Sequence, residues 1–373
     1  MKHRTKRVVC FSLLLALLLS VTAALPAFAA APFDNGAYAT VLTCSDVQDV
    51  GTKAYERFGR LLGVMKKDDM PVPDSMLVGG DYTKLLFDYA APGVTQLGQR
   101  LKDVYPTADA DSIVCIQGNH DNMFSGFTKT GFYDNGPYSL YVINEDDFPW
   151  QQGLRPGVGS HIKKIAADLE KNLNALIEAG DRRPVFVMTH LPLHHTNRAR
   201  YADNKYAAYL FDVLNEAGKT LDIVFLFGHQ HSGDYDDYIG GSVNFMKPGD
   251  TIRVPLTDKQ GEDAYTEETL SFTYTNCGYV GYSNNHETDT STNALTLGAI
   301  AISEENLRFI KYTEEGVYGV WNVARQNPAG DEPAPARTSY PAIADSKLWH
   351  LEQALFDRVF AILRPFLSML GIC

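Results

Sequence analysis

From Tyr38 onward, short runs of apolar and β-branched residues alternate with longer amphipathic ones. Ala39 to Thr43, Met76 to Val78, Ser112 to Ile116, Val185 to Met188 and Ile223 to Phe227 are nearly continuous in apolar character, which predicts buried strands. Between them, Thr52 to Lys67 carries Tyr55, Phe58, Leu62 and Met65 at helical spacing. His161 to Ala179 likewise sets Ile162, Ile165, Leu169, Leu173 and Leu176 on one stripe, predicting a second helix. Buried strands separated by helices imply an α/β protein with largely parallel pairing. After Gly228 the texture changes. Ser271 to Thr275, Leu295 to Ile302, Leu307 to Tyr312 and Val317 to Trp321 follow with little helix between them, which predicts an antiparallel sheet completing the core.

The two ends differ from this middle. Met1 to Arg7 is basic, Val8 to Leu19 apolar, and small residues lead to Ala27-Phe28-Ala29, the order of a secretory signal with cleavage after Ala29. A membrane anchor is the other reading, but the apolar core is short for a span. Residues 325–343 are rich in Pro and Ala and read as a linker; residues 344–373 read as an amphipathic helix carrying Glu352, Asp357, Arg358 and Arg364. The expected organisation is therefore a signal at 1–29, one domain at 33–324, a linker and a C-terminal helix.

Charge narrows the partners. Removal of residues 1–29 takes away four basic residues and no acid, so the net charge moves from −12 to −16. Such acidity disfavours long nucleic acid and anionic membranes, but not a small phosphorylated substrate held through metal ions. The C-terminal helix could pack on the domain, dimerise or touch a membrane surface. Export would permit disulfides among Cys44, Cys115, Cys277 and Cys373, but Cys44 and Cys115 lie inside strand-like runs and are expected as buried thiols.

The candidate chemistry lies where the strands end. Asp46 and Gln48 follow the first strand, and Gly80-Asp81 the second. Gly118-Asn119-His120-Asp121 follows the third, His190 ends the fourth, and Gly228-His229-Gln230-His231 ends the fifth. Open α/β sheets build their sites along that carboxyl edge. Of the nine histidines beyond residue 29, six fall in or beside these segments: His120, His190, His194, His195, His229 and His231. Imidazole, carboxylate and amide oxygen together suit Mn, Fe, Zn or Ni better than Ca or Mg.

These segments, in this order and each after a strand, resemble those of the calcineurin-like metallophosphoesterases, a family that includes purple acid phosphatases and phosphodiesterases. The resemblance runs from about Tyr38 to Val323. It implies a four-layer α/β/β/α sandwich and a site for two divalent or trivalent transition-metal ions. By position, Asp46, Gln48, Asp81 and His231 would hold the first ion, and Asp81, Asn119, His190 and His229 the second, with Asp81 bridging. His120 would protonate the leaving oxygen or stabilise the phosphoryl group, and Asp121 would orient His120. The implied reaction is hydrolysis of a phosphomonoester, phosphodiester or pyrophosphate by metal-bound hydroxide, outside the cytoplasm or in the cell envelope.

One position departs from the family. Asp46-Val47-Gln48 stands where Asp-x-His is usual, and an amide oxygen is a weaker ligand than imidazole. The alternative to an enzyme is thus a metal- or phosphate-binding protein on the same fold, weakened in turnover. His194 and His195 read as neighbours of the site rather than ligands, while Arg198 and Arg200 are either a phosphate clamp or a solvated loop. The aromatic stretch Asn122 to Gly159, with Phe132, Tyr133, Tyr138 and Trp150, either caps the cleft or packs on the domain. Asn276 to Tyr279 lies where family members return a turn toward the site.

Overall fold

The structure is a computed structural model describing residues 32–33, 36–48, 53–82, 90–118, 120–121, 126–144, 158–192, 207–229, 245–255, 265–281 and 296–326. The signal segment, the C-terminal helix and all but the first two linker residues lie outside the described residues.

In chain order the elements are β1 (Ala39–Cys44), α1 (Lys53–Lys67), β2 (Ser75–Val78), α2 (Ala90–Val104), β3 (Ile113–Cys115), β4 (Gly131–Asp134), β5 (Ser139–Val142), α3 (Val158–Ala179) and β6 (Val185–Thr189). Then come α4 (Ala207–Ala217), β7 (Ile223–Phe227), β8 (Phe245–Met246), β9 (Thr251–Pro255), β10 (Tyr265–Thr269), β11 (Thr273–Asn276), β12 (Leu297–Ile302), β13 (Asn306–Thr313) and β14 (Gly316–Ala324). Helix α1 forms because Tyr55, Phe58, Leu62 and Met65 recur on one buried stripe, and Lys66 and Lys67 meet the negative end of its dipole.

Two six-stranded sheets carry the core, ordered β14-β13-β12-β1-β2-β3 and β4-β5-β6-β7-β11-β8, with β9 and β10 as a separate hairpin. In the first, β1, β2 and β3 run parallel, while β12, β13 and β14 extend the sheet antiparallel from β1. In the second, β5, β6, β7 and β11 are parallel, flanked by antiparallel β4 and β8. The first sheet's outer face packs Leu42, Val78 and Ile310 with Phe58 and Leu62 of α1 and Leu97 of α2. The second does the same with Val187 and Phe225 against Leu169 of α3 and Leu214 of α4. Between the sheets lie Val41, Leu77, Val114, Leu140, Phe186, Val224 and Phe309. That is the α/β/β/α order that the family resemblance implies, and each large apolar side chain so buried contributes about 1.5–3 kcal/mol.

One expected strand lies elsewhere, and the structure adds elements and settles one alternative. Ser271 to Thr275, read as a member of the late antiparallel sheet, instead supplies β11, which pairs parallel to β7 in the second sheet. Helices α2 and α4 and strands β4, β5, β8, β9 and β10 were not legible as such. For the described part of Asn122 to Gly159, the aromatics pack: Tyr138 is buried and stacks on Phe186 at 4.6 Å, and Phe132 and Tyr133 lie against the two cores. Trp150 is outside the described residues.

Arg325, read as the head of a linker, belongs to the folded domain. Its buried guanidinium donates to Asp222 at 3.0 Å and to the Tyr38 hydroxyl and Ser303 carbonyl at 3.1 Å. It also donates to the Arg182 carbonyl, and Gln326 N–H adds a bond to Asp222 at 2.6 Å.

Candidate metal centre

Because β1, β2 and β3 are parallel, as are β6 and β7, their carboxyl ends open on one edge between the sheets. The loops there are cross-tied through the backbone. Asp46 N–H donates to the Gly80 carbonyl at 2.9 Å, Gln48 N–H to the Asp81 carbonyl at 3.0 Å, and Gly228 N–H to the His190 carbonyl at 3.0 Å. Asp46, Gln48, Asp81 and His229 all take positive φ, at 53°, 42°, 58° and 65°. Among the described residues only one other non-glycine, Asp69, does so. Such backbone costs about 1–3 kcal/mol per residue and persists where surrounding structure enforces it.

Glycines permit the close approach. A Cβ on Gly118 would lie 2.2 Å from Asp81 Oδ1, and one on Gly80 would lie 2.7 Å from the Gly118 nitrogen. One on Gly228 would meet the Ser45 hydroxyl at 2.1 Å.

Asp81 is fully buried. Its Oδ1 accepts the His120 backbone N–H at 2.8 Å and its Oδ2 accepts Gln48 Nε2–H at 2.9 Å. His190, also fully buried, turns Nδ1 to the Gly79 carbonyl at 2.7 Å. A carbonyl only accepts, so Nδ1 carries the proton and Nε2 presents its lone pair, 3.5 Å from Asp81 Oδ2. His229 stands edge-on to His190, ring centroids 5.2 Å apart. Ligand atoms of Asp81, His190 and His229 all fall within 4.8 Å of one another. Asp46 adds a second buried carboxylate, whose Oδ2 accepts the Ser45 hydroxyl at 2.6 Å and His229 N–H at 2.8 Å.

Asp121 has a different place from the one expected. Its carboxylate accepts the backbone N–H groups of Asp81 at 2.7 Å, Tyr82 at 2.8 Å and Gly118 at 2.8 Å. It clamps the loops after β2 and β3 together rather than steering the His120 ring. Burial, and then the Asp81 charge, push its carboxyl well above the usual range, against the pull of those three N–H groups.

The structure thus brings Asp46, Gln48, Asp81, His120, Asp121, His190 and His229 to one edge. Asn119 and His231 lie outside the described residues, as do His194, His195, Arg198 and Arg200. Sequence reasoning passed over Ser45 and Gly79, which hold Asp46 and His190. Their signals, a Ser before the Asp and a Gly-Gly pair before Asp81, are too common to single out.

The donor set fits a transition-metal ion. Two carboxylates, Asp46 and Asp81, fully buried within one loop cluster, are costly unless positive charge balances them. Two imidazoles, one with its lone pair freed by the Gly79 bond, match the ligand preference of Mn, Fe, Zn or Ni.

A four-layer sandwich with buried carboxylates and imidazoles at the shared carboxyl edge of its parallel strands defines a metal-dependent hydrolase. The chain belongs to the calcineurin-like phosphoesterase family, whose sequence profile matches residues 39–233. It is a phosphoric ester hydrolase by that membership. No curated protein matches. Among solved structures, the chain is similar to a conserved predicted phosphoesterase of Streptococcus pneumoniae, at 12% identity and TM-score 0.31 over 77% of this chain and 98% of the other. It is also similar to GAP50, the anchor in the inner membrane complex of Plasmodium, at 11% identity and TM-score 0.44 over 82% and 91%.

Proposed function

We propose that this chain is an exported hydrolase that cleaves a small phosphomonoester, phosphodiester or pyrophosphate using two transition-metal ions. The buried group of Asp81, His190 and His229 is the observation that carries the reading. In it, Asp46, Gln48, Asp81 and His231 would hold one ion, and Asp81, Asn119, His190 and His229 the other. When bound, the ions supply Lewis acidity toward the phosphoryl oxygens and make a water acidic enough to attack near neutral pH. His120 would give the departing oxygen its proton, and its backbone N–H on Asp81 Oδ1 ties the proton donor's loop to the Asp81 carboxylate. Ser45 and Gly79 hold Asp46 and His190 in the orientation that binding needs.

Residues 1–29 direct export in this reading, and the acidic mature chain favours small substrates over long nucleic acid.

The test is hydrolysis of p-nitrophenyl phosphate and bis-p-nitrophenyl phosphate by the protein lacking residues 1–29, with metal content measured by mass spectrometry. Metal-dependent turnover that drops about a hundredfold or more in His120→Ala supports the reading. A folded protein holding one ion or none, without turnover in Mn, Fe, Zn or Ni, overturns it in favour of a binding protein.

A further inference from the structure

Strand β3 is the outer strand of the first sheet, so within that sheet it pairs with β2 alone. Ile116 N–H, just past β3, still turns to the Val78 carbonyl of β2 at 3.2 Å. Successive N–H groups of extended backbone point to opposite sides, so Gln117 N–H points away from β2, at the open edge. An edge of this kind is the softer end of a sheet, and the loop that carries His120 hangs from it.

The chain closes that edge from the other sheet. Thr128 N–H donates to the Cys115 carbonyl at 2.8 Å. Asn144, fully buried just past β5, accepts Gln117 N–H on Oδ1 at 2.8 Å. A backbone N–H only donates, so the carbonyl end of the Asn144 amide has to face it. Asn144 is itself held: its N–H donates to the Thr130 hydroxyl at 2.9 Å, and Ile143 N–H beside it donates to the Met188 carbonyl of β6 at 2.8 Å. From Gln117 the tie runs on, because Gln117 Nε2–H donates to the Asp121 carbonyl at 2.9 Å and so spans the loop. The loop is thereby fixed on one side to Asp81, through His120 N–H and the Asp121 carboxylate, and on the other to the second sheet, through Asn144.

Resting on the role proposed above for His120, we propose that Asn144 is a positioning residue for its loop. β3 belongs to the first sheet, whereas His190 and His229 follow β6 and β7 of the second. Asn144 joins the two: it refers the proton donor's loop to the sheet that delivers the other histidines. A misplacement of about 1 Å in such a loop costs on the order of a hundredfold in rate.

The experiment uses the protein lacking residues 1–29 and has two arms. In the first, amide hydrogen exchange of the metal-free protein is read at Gln117, Gly118 and His120 relative to β13. Asn144→Leu should speed these amides by about tenfold over β13, the scale of one lost hydrogen bond, whereas Arg325→Met, destabilised at the opposite edge, should not favour them. In the second, a double-mutant cycle reads kcat/KM for p-nitrophenyl phosphate at saturating Mn(II). Asn144→Leu should cost at least about tenfold in the wild-type background and less than about threefold when His120→Ala is already present, since a residue that acts through His120 has nothing left to position. Equal losses in the two backgrounds would overturn the proposal, because a merely structural tie is additive. Exchange unchanged from wild type would overturn it too. Should Asn144→Leu fail to fold, Gln117→Met, which keeps the bond to Asn144 and removes the donation to Asp121, goes through the same cycle and decides. Wild type without turnover sinks the proposed function and this inference with it, whereas equal losses in an active enzyme sink this inference alone.

Discussion

His190 donates Nδ1–H to the backbone carbonyl of Gly79 at 2.7 Å, across the gap between the two sheets. Residues 111 positions apart in sequence thereby set the tautomer of a buried imidazole. Replacing His190 with Gln keeps some polarity but loses both the directed lone pair and this tie. Metal content of His190→Gln should drop by at least about tenfold in affinity, the usual scale of disturbing a ligand or its supporting bond. Retention of wild-type metal content would show that His190 is not a ligand.

Gly118→Ala tests the packing of the loops. The added Cβ would sit 2.2 Å from Asp81 Oδ1 and 2.5 Å from Asp81 N, and the second of these is backbone that cannot swing aside. The expected loss is about 1–3 kcal/mol of stability, with metal binding impaired because Asp81 is displaced. Urea denaturation and metal analysis on the same preparation check both.

Asp121→Asn separates a clamp from a partner of the His120 ring. The amide offers one accepting oxygen where the carboxylate offers two, so at least one of the bonds from Asp81, Tyr82 and Gly118 is lost. Stability should fall by about 1–3 kcal/mol. Full stability with turnover lost would instead point to a direct role beside His120.

Arg325 joins Asp222, Tyr38, Ser303 and Arg182 at the edge opposite the site. Arg325→Met leaves the Asp222 charge buried and should destabilise the fold by about 3–5 kcal/mol. Arg325→Lys should recover little of this, since an ammonium cannot fork to several acceptors. Denaturant midpoints of the two variants give the comparison.

Lys311 predicts a pH dependence of stability. It is buried beneath the Asn276–Gly278 turn, donates to the Asn276 carbonyl, and faces the thiols of Cys277 and Cys44. Burial lowers its pKa to about 8 from 10.5. Between those values the unfolded chain holds a proton that the folded one does not, so stability rises with pH from about 8 upward. The thiols act oppositely. Burial raises Cys115 and Cys277 to about 12 from 9.0, and Cys44 is raised as well, so from pH 9 upward the unfolded chain loses protons that the fold retains. The clean window is therefore pH 8 to 9. There wild-type stability should climb relative to Lys311→Met, measured by urea denaturation at stepped pH. Parallel profiles would show that Lys311 titrates normally.

Local pattern determined a good deal of this protein. The apolar runs of β1, β2, β6 and β7 mark buried strands because both of their faces are covered. The Asp and His residues at their ends are legible because parallel strands deliver their carboxyl ends to one edge. Helix α1 is legible from its stripe. Sheet membership of β11 was not, since a short strand of mixed residues carries no signal for its partner, and pairing with β7 is decided by long-range packing. The same holds for Asp121, whose sequence position beside His120 suggests one partner while the folded loops give it three backbone N–H groups. Arg325 shows it from the other side: a Pro/Ala-rich neighbourhood reads as a linker, yet a buried Asp222 about a hundred residues away fixes it in the fold. Which end of the Gln48 amide faces Asp81 is likewise a tertiary fact. Residue type states what a side chain can donate or accept, and only the surrounding atoms decide which of those it does.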